Sequence, residues 1–309
     1  MKKRVVAVLT SVMLTAVALV GCGSASASAP APTETKVEEP AVEEAVEDES
    51  EAVEEAVAEI GADTQAIKDR GVLKVGVKNA VVGFGFQDTL TGEYSGLEIS
   101  IAEKIAEELG VDIEFTTVTA ATRTELLDSG DIDCVLATFT ITDERKESWD
   151  FSTPYFTDYV SVLVETASGI TKLEDLKDKT VGVSSGSTSA KSLTNAMIEA
   201  GFIDGTDFDP DSFDAATWTE GIAYKQYDDY PAISTALSAG EVDAFCVDKS
   251  ILAIYNTDDR NYIDDQFSPQ DYGVATKKGS DFSTFVDDLV VTWLGDGTIA
   301  GFISENGLD

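Results

Sequence analysis

From Gly71 onward the chain alternates between two periods. Val72-Leu73-Lys74-Val75-Gly76-Val77 is a run of strand type. Ile101, Ala102, Ile105, Ala106 and Leu109 recur at helical spacing and mark one apolar face, which Gly110 stops. Val111 to Phe115 alternates as a strand does, and Thr122 to Leu127 starts a short helix ending near Gly130. Cys134-Val135-Leu136-Ala137 is continuously apolar, as expected for a strand buried on both faces. A second series follows: a strand over Thr180 to Val183, a Ser/Gly loop, and a helix through Leu193, Met197 and Ala200. A helix over Ile233 to Leu237 and a buried strand over Val242 to Val247 complete it. Two similar units of this kind predict an α/β fold. The Asp-rich stretch 202–218 reads as a long loop.

The N-terminus has a different pattern. Lys2-Lys3-Arg4 precede an apolar run, Val5 to Val20, that is short for a bilayer span and is followed by small residues. This predicts a signal peptide over 1–21. Leu19-Val20-Gly21-Cys22 resembles the lipobox of bacterial lipoproteins, which implies lipidation of Cys22 and an anchor on the outer face of the cytoplasmic membrane, facing the cell surface or periplasm. The alternative is a plain membrane helix with an incidental cysteine. Residues 22–61 read as the lipidated Cys plus an acidic low-complexity tether. Ala41-Val42-Glu43-Glu44-Ala45-Val46 recurs as Ala52-Val53-Glu54-Glu55-Ala56-Val57, a spacing close to three helical turns, but like charges favour a solvated spacer.

Charge narrows the function. The chain has 58 Asp+Glu against 21 Lys+Arg, a formal charge of -37, and no histidine. Residues 1–21 carry +3; residues 22–61 carry 12 acids and one Lys, so -11; residues 62–309 carry 46 acids and 17 bases, so -29. The folded part is therefore acidic in its own right, which opposes nucleic-acid binding. Without histidine there is no Ser-His-Asp or Cys-His machinery and no imidazole metal ligand. No catalytic residue, metal or cofactor is expected. Cys134 and Cys246 lie in apolar runs and read as separate buried thiols.

Ligands of open α/β sheets bind beyond the carboxyl ends of strands. The residues placed there are Lys78, Thr138 to Arg145, Ser184 to Thr188, and Asp248. The Ser184-Ser185-Gly186-Ser187-Thr188 loop opens a helix, whose free N–H groups suit a carboxylate; plain N-capping by Ser187 or Thr188 is the competing reading. Arg145 can clamp a carboxylate with two parallel bonds, or pair with Asp143, Glu144 or Glu147 at the surface. Asp248 can hold an ammonium, or pair with Lys249 or cap the next helix. Arg145 and Asp248 together make an amino-acid-shaped charge pattern. Lys78 and Arg123 would suit a second carboxylate, or be solvated and paired with nearby acids.

Residues 62–309 resemble the family-3 extracellular solute-binding proteins that feed polar amino acids to ABC importers, and within them the aspartate/glutamate-binding branch. The resemblance rests on Gly96-Leu97-Glu98-Ile99-Ser100-Ile101-Ala102, on Ala137 to Lys146 (Ala-Thr-Phe-Thr-Ile-Thr-Asp-Glu-Arg-Lys), on Asp150-Phe151-Ser152-Thr153-Pro154-Tyr155, on Tyr230-Pro231 and on Val242 to Ser250. It implies a two-lobe periplasmic-binding-protein type II (venus-flytrap) fold with a two-stranded hinge, lobe 1 over 62–157 and 272–309 and lobe 2 over 160–268. It implies that Arg145 with the Thr188 amide, beside Ser187, grips the α-carboxylate. Asp248, Thr140 and the Thr138 carbonyl would hold the α-ammonium. Lys78 and Arg123 would meet a side-chain carboxylate, and Tyr230 would close over the ligand.

The expected function is then a monomeric receptor that binds L-glutamate or L-aspartate without chemistry and delivers it to the transmembrane subunits of an ABC permease. The protein's own negative charge does not forbid this, because salt screens it over about 8 Å. Departures at Val81-Val82-Gly83, Ser100 and Ser184 leave glutamine or cysteine open as ligands. A dehydratase-like enzyme using Glu98 or Asp248, and a sensor or adhesin, are the readings from other classes.

Overall fold

Residues 60–309 are described by a computed structural model, so the export signal, Cys22 and nearly all of the expected tether lie outside the described residues. Helix α1 (Ala62–Arg70) leads into β1 (Val72–Val77), whose Leu73, Val75 and Val77 are fully buried. A small antiparallel sheet follows, made of β2 (Ala80–Val81), β3 (Gly85–Gln87) and β4 (Tyr94–Ser95). Helix α2 (Leu97–Leu109) buries the face predicted from its spacing. Then come β5 (Asp112–Thr117), α3 (Arg123–Ser129), β6 (Cys134–Leu136), α4 (Asp143–Ser148) and β7 (Trp149–Phe151).

The second series runs β8 (Phe156–Glu165), β9 (Thr180–Ser184), α5 (Ser189–Glu199), β10 (Ala223–Tyr227), α6 (Tyr230–Ser238) and β11 (Ala244–Asp248). It continues through α7 (Lys249–Leu252), β12 (Arg260–Tyr262) and β13 (Phe267–Tyr272). The chain then re-enters the first lobe with β14 (Ala275–Lys277), α8 (Asp281–Asp296) and α9 (Thr298–Glu305).

Each lobe is built on one mixed sheet. The first has order β5-β1-β6-β14-β7, with β1 parallel to β5 and β6 and with β14 antiparallel to both its neighbours. The second has order β10-β9-β11-β8-β12, with β13 also on β8. Here β9, β10 and β11 run parallel, and β8 is antiparallel to β11, β12 and β13. The chain crosses between sheets twice, at the start of β8 and the end of β13, where Phe156 pairs with Tyr272. Those two rings stack 6.1 Å apart, and Phe84 meets Phe156 edge-on at 5.0 Å, so an apolar cluster fills the crossing. This is the expected two-lobe α/β periplasmic-binding-protein fold with its two-stranded hinge.

Cys134 and Cys246 are buried free thiols in different sheets. The Asp-rich stretch has no helix or strand between α5 and β10. Phe208, Phe213, Trp218 and Tyr224 pack ring against ring with centroids 5.6 to 6.3 Å apart and hold it to the lobe.

Candidate functional site

The carboxyl ends of the parallel strands of both sheets converge on one cleft. Lys78 follows β1, Thr138 to Thr140 follow β6, Ser187 and Thr188 follow β9, Tyr230 opens α6 after β10, and Asp248 ends β11. Arg123, Thr138, Thr140, Arg145, Ser187, Thr188, Tyr230 and Asp248 line one small cavity. Lys78 lines an adjoining cavity that Tyr230 also lines, with its Nζ 5.2 Å from the centre of that ring.

The lobes are closed on one another. Arg145 Nη1 donates to Thr140 O at 2.7 Å in its own lobe, and Nη2 reaches Gly186 O of the other lobe at 3.1 Å. Lys191 and Glu144 make an ion pair across the mouth at 2.9 Å. Gly186 has a φ of 74°, and a Cβ there would lie 2.7 Å from Ala120 O of the facing lobe, so the approach requires glycine on both counts.

Several local alternatives are decided by these contacts. Arg145 makes no ion pair among the described residues; its guanidinium lies over the Phe139 ring at 4.7 Å. Thr188 is the N-cap of α5 but makes no side-chain cap bond, and Ser187 Oγ donates to Ser184 O. Asp248 does not cap α7; its Oδ2 accepts from Tyr272 OH at 2.5 Å, and its Oδ1 has no partner among the described residues. Arg123 is 2% exposed, stacks on Phe139 at 3.8 Å and donates through Nη1 to Ala137 O and Thr138 O. The Thr138 carbonyl expected to meet an ammonium also accepts from this guanidinium, which leaves one of its two lone pairs for a ligand.

Glu98 is a further buried charge beside these residues, at a position that the strand-end rule does not reach. It stands in the first turn of α2 at a position that shares the helical stripe of Ala102, Ile105 and Leu109, and it is fully buried. Its Oε1 accepts from Thr138 N at 2.5 Å and Tyr155 OH at 2.6 Å, and its Oε2 is unpartnered among the described residues. The bond to Thr138 N holds that residue at a φ of 45°, a left-handed conformation that is costly for a β-branched residue. A charged residue on an apolar stripe was the signal available in sequence.

Counting Glu98 changes the charge of the site. Lys78, Arg123 and Arg145 against Glu98 and Asp248 leave a formal +1, where Asp248 alone left +2. Burial shifts every one of these groups toward its neutral form. Burial first and Arg123 second lower Lys78 to about 7. Burial pushes Asp248 up to about 7 despite the Tyr272 hydrogen bond, and raises Glu98. Burial likewise lowers Arg123 to about 10 and Arg145 to about 9.

Known proteins resemble this chain in the same region. The family model described as bacterial extracellular solute-binding proteins, family 3, matches residues 73–301. A glutamine-binding protein of Geobacillus stearothermophilus is 34% identical over 220 residues, 69% of this chain and 76% of that one. The L-cystine-binding protein TcyJ of Escherichia coli is 31% identical over 239 residues, 75% and 81% of the two chains. The glutamate-binding protein GluB of Corynebacterium glutamicum is 28% identical over 256 residues, 77% and 79% of the two chains. Among solved structures, an ancestral arginine-binding protein bound to arginine superposes with a TM-score of 0.64 at 31% identity, covering 76% of this chain and 98% of that one.

Proposed function

We propose a ligand from one premise: this chain belongs to the bacterial extracellular solute-binding proteins, family 3. Its place is extracytoplasmic, and no helix among the described residues is long and apolar enough to cross a membrane. The protein binds an amino acid between its lobes and delivers it to an ABC permease, and that amino acid is acidic, L-glutamate or L-aspartate. Detergent-dependent extraction of the full chain, lost in Cys22→Ser, tests the lipid anchor that completes this reading.

The observation that carries the acidic ligand is the set of three cations around one closed cleft. Arg145 and the Thr188 amide take the α-carboxylate, and the free Oδ1 of Asp248 takes the ammonium with Thr140. Lys78 and Arg123 meet the second carboxylate, and Tyr230 walls it off. A ligand of net charge -1 cancels the formal +1. The glutamine-binding relative favours glutamine as the second reading, but a neutral carboxamide ligand would leave the formal +1 of the buried site uncancelled.

Calorimetry of the full-length chain against the twenty amino acids is expected to rank L-glutamate or L-aspartate first; a preference for glutamine, cysteine or arginine overturns the assignment. Lys78→Met is expected to weaken L-glutamate roughly 30- to 100-fold and L-glutamine less than about 3-fold, as for loss of a buried charge partner. Lys78 is lowered to about 7 in the empty closed cleft. Above that pH an arriving carboxylate must draw in a proton, so wild-type affinity for L-glutamate falls as pH rises. Proton uptake at pH 8, read from the buffer dependence of the enthalpy, should vanish in Lys78→Met. Equal losses for both ligands remove Lys78 from this role.

A further inference from the structure

Gln270 lies in the hinge strand β13, two residues before Tyr272, and is 3% exposed. Its Nε2 donates to two carbonyls, Ser268 O at 2.9 Å and Pro269 O at 3.2 Å. Only the NH₂ end of the amide can serve two carbonyls, so the network fixes the orientation of the amide. The backbone is shaped for this contact. Ser268 has a φ of 48°, the register against β8 shifts between Phe267 and Pro269, and Pro269 has no N–H to offer the ladder.

The amide oxygen then faces the cleft, where it accepts from Thr140 Oγ1 at 2.8 Å and from Thr188 Oγ1 at 2.7 Å. Those threonines come from opposite lobes and line the same cavity as Asp248. A hydroxyl has one proton and two lone pairs. With its proton committed to Gln270, each Oγ1 can present only lone pairs to a ligand.

We propose that Gln270 is a positioning residue that fixes the direction of both hydroxyls, so that Thr140 and Thr188 act as acceptors for an ammonium and not as donors to a carboxylate. The inference rests on the reading that an amino acid occupies this cavity, but not on the identity of its side chain. It divides the work of recognition by atom type. The α-carboxylate receives its hydrogen bonds from Arg145 and backbone amides, while the ammonium is met by Asp248 and two polarised hydroxyls. In the closed cleft one oxygen is thereby the meeting point of hydroxyls from both lobes.

The test compares ligands with and without the α-ammonium, a split that simple hinge damage would not produce. Displacement calorimetry on the full-length chain uses L-glutamate against glutarate, and L-glutamine against glutaramate. Gln270→Leu is expected to weaken the amino acid roughly 10- to 100-fold, the range for lost hydrogen bonds to a charged group, and its deaminated partner less than about 3-fold. Equal losses within a pair, or no loss, overturn the proposal. If wild type prefers L-glutamine, the acidic reading fails while the glutamine pair still decides this one. Where glutarate and glutaramate are too weak to measure, a cycle decides: adding Gln270→Leu to Thr140→Val/Thr188→Val should cost less than about 2-fold, and a full further loss overturns the proposal. Should Gln270→Leu not fold, Thr140→Val and Thr188→Val are expected to show the same split, and their failure to do so is equally adverse.

Discussion

Arg145→Ala is expected to abolish measurable binding of every amino acid, acidic or neutral, with a loss of about 10³-fold or more. The argument starts from the fork. The guanidinium is fixed by Thr140 O on one side and the Phe139 ring beneath, so its orientation is set before a ligand arrives. Its remaining N–H groups are available to a carboxylate in a partly buried site, where removing one partner of a buried hydrogen-bonded charge pair costs about 2–5 kcal/mol or more. Alanine also removes the bond to Gly186 O, one of the polar contacts that hold the second lobe against the first. The loss therefore combines weaker grip with weaker closure. Arg145→Lys separates them. A lysine keeps the charge but cannot make two parallel bonds, so partial recovery, still at least about 10-fold below wild type, is the expected result. Retention of near-wild-type affinity for any amino acid in Arg145→Ala would remove the α-carboxylate from its proposed place.

Much of this site was legible because strand ends are legible. The run from Cys134 and the run ending in Val247 are apolar on both faces, the run 72–77 is interrupted only by Lys74, and that pattern survives without knowledge of the partner strands. Placing Lys78, Thr138 to Arg145, Ser187, Thr188 and Asp248 required no more than the rule that ligands sit beyond such ends. The hinge was different. Strand β13 contains Pro269 and a left-handed Ser268, features that argue against a strand when read locally. Its identity depends on the long partner β8, which is distant in sequence. Gln270 and Tyr272 were therefore invisible as site residues, although both touch the groups that were foreseen. Glu98 stands out in sequence only as the acid of a dehydratase-like alternative, for another reason. Its charge reads as solvent-exposed by habit, whereas its helical phase places it under the sheet with Tyr155 and Thr138.

Asp248→Asn is the second large effect, and it is expected to invert the selectivity of the cleft. The substitution keeps shape and can still accept from Tyr272 OH, so the lobe should fold normally. It removes the carboxylate whose Oδ1 has no other partner among the described residues. A ligand ammonium would then meet an amide NH₂ or a neutral oxygen while Lys78, Arg123 and Arg145 stand nearby, with Glu98 still buried beside Lys78 and Arg123 and Glu144 near Arg145. Loss of L-glutamate affinity by roughly 100-fold or more is expected for a buried charge partner. Glutarate, which lacks the ammonium and carries one more negative charge, should bind the variant better than it binds wild type. Protonation adds an independent check. Burial raises Asp248 to about 7, so in the empty closed cleft the carboxyl holds a proton below that pH and must release it to receive an ammonium. Wild-type affinity for L-glutamate should therefore fall as pH drops below about 7, with proton release seen by calorimetry. Combined with the basic limb assigned to Lys78, the profile is bell-shaped with its maximum near neutrality. In Asp248→Asn the acid limb should disappear while the basic limb remains; an unchanged acid limb would assign the proton to another buried group, of which Glu98 is the nearest in kind.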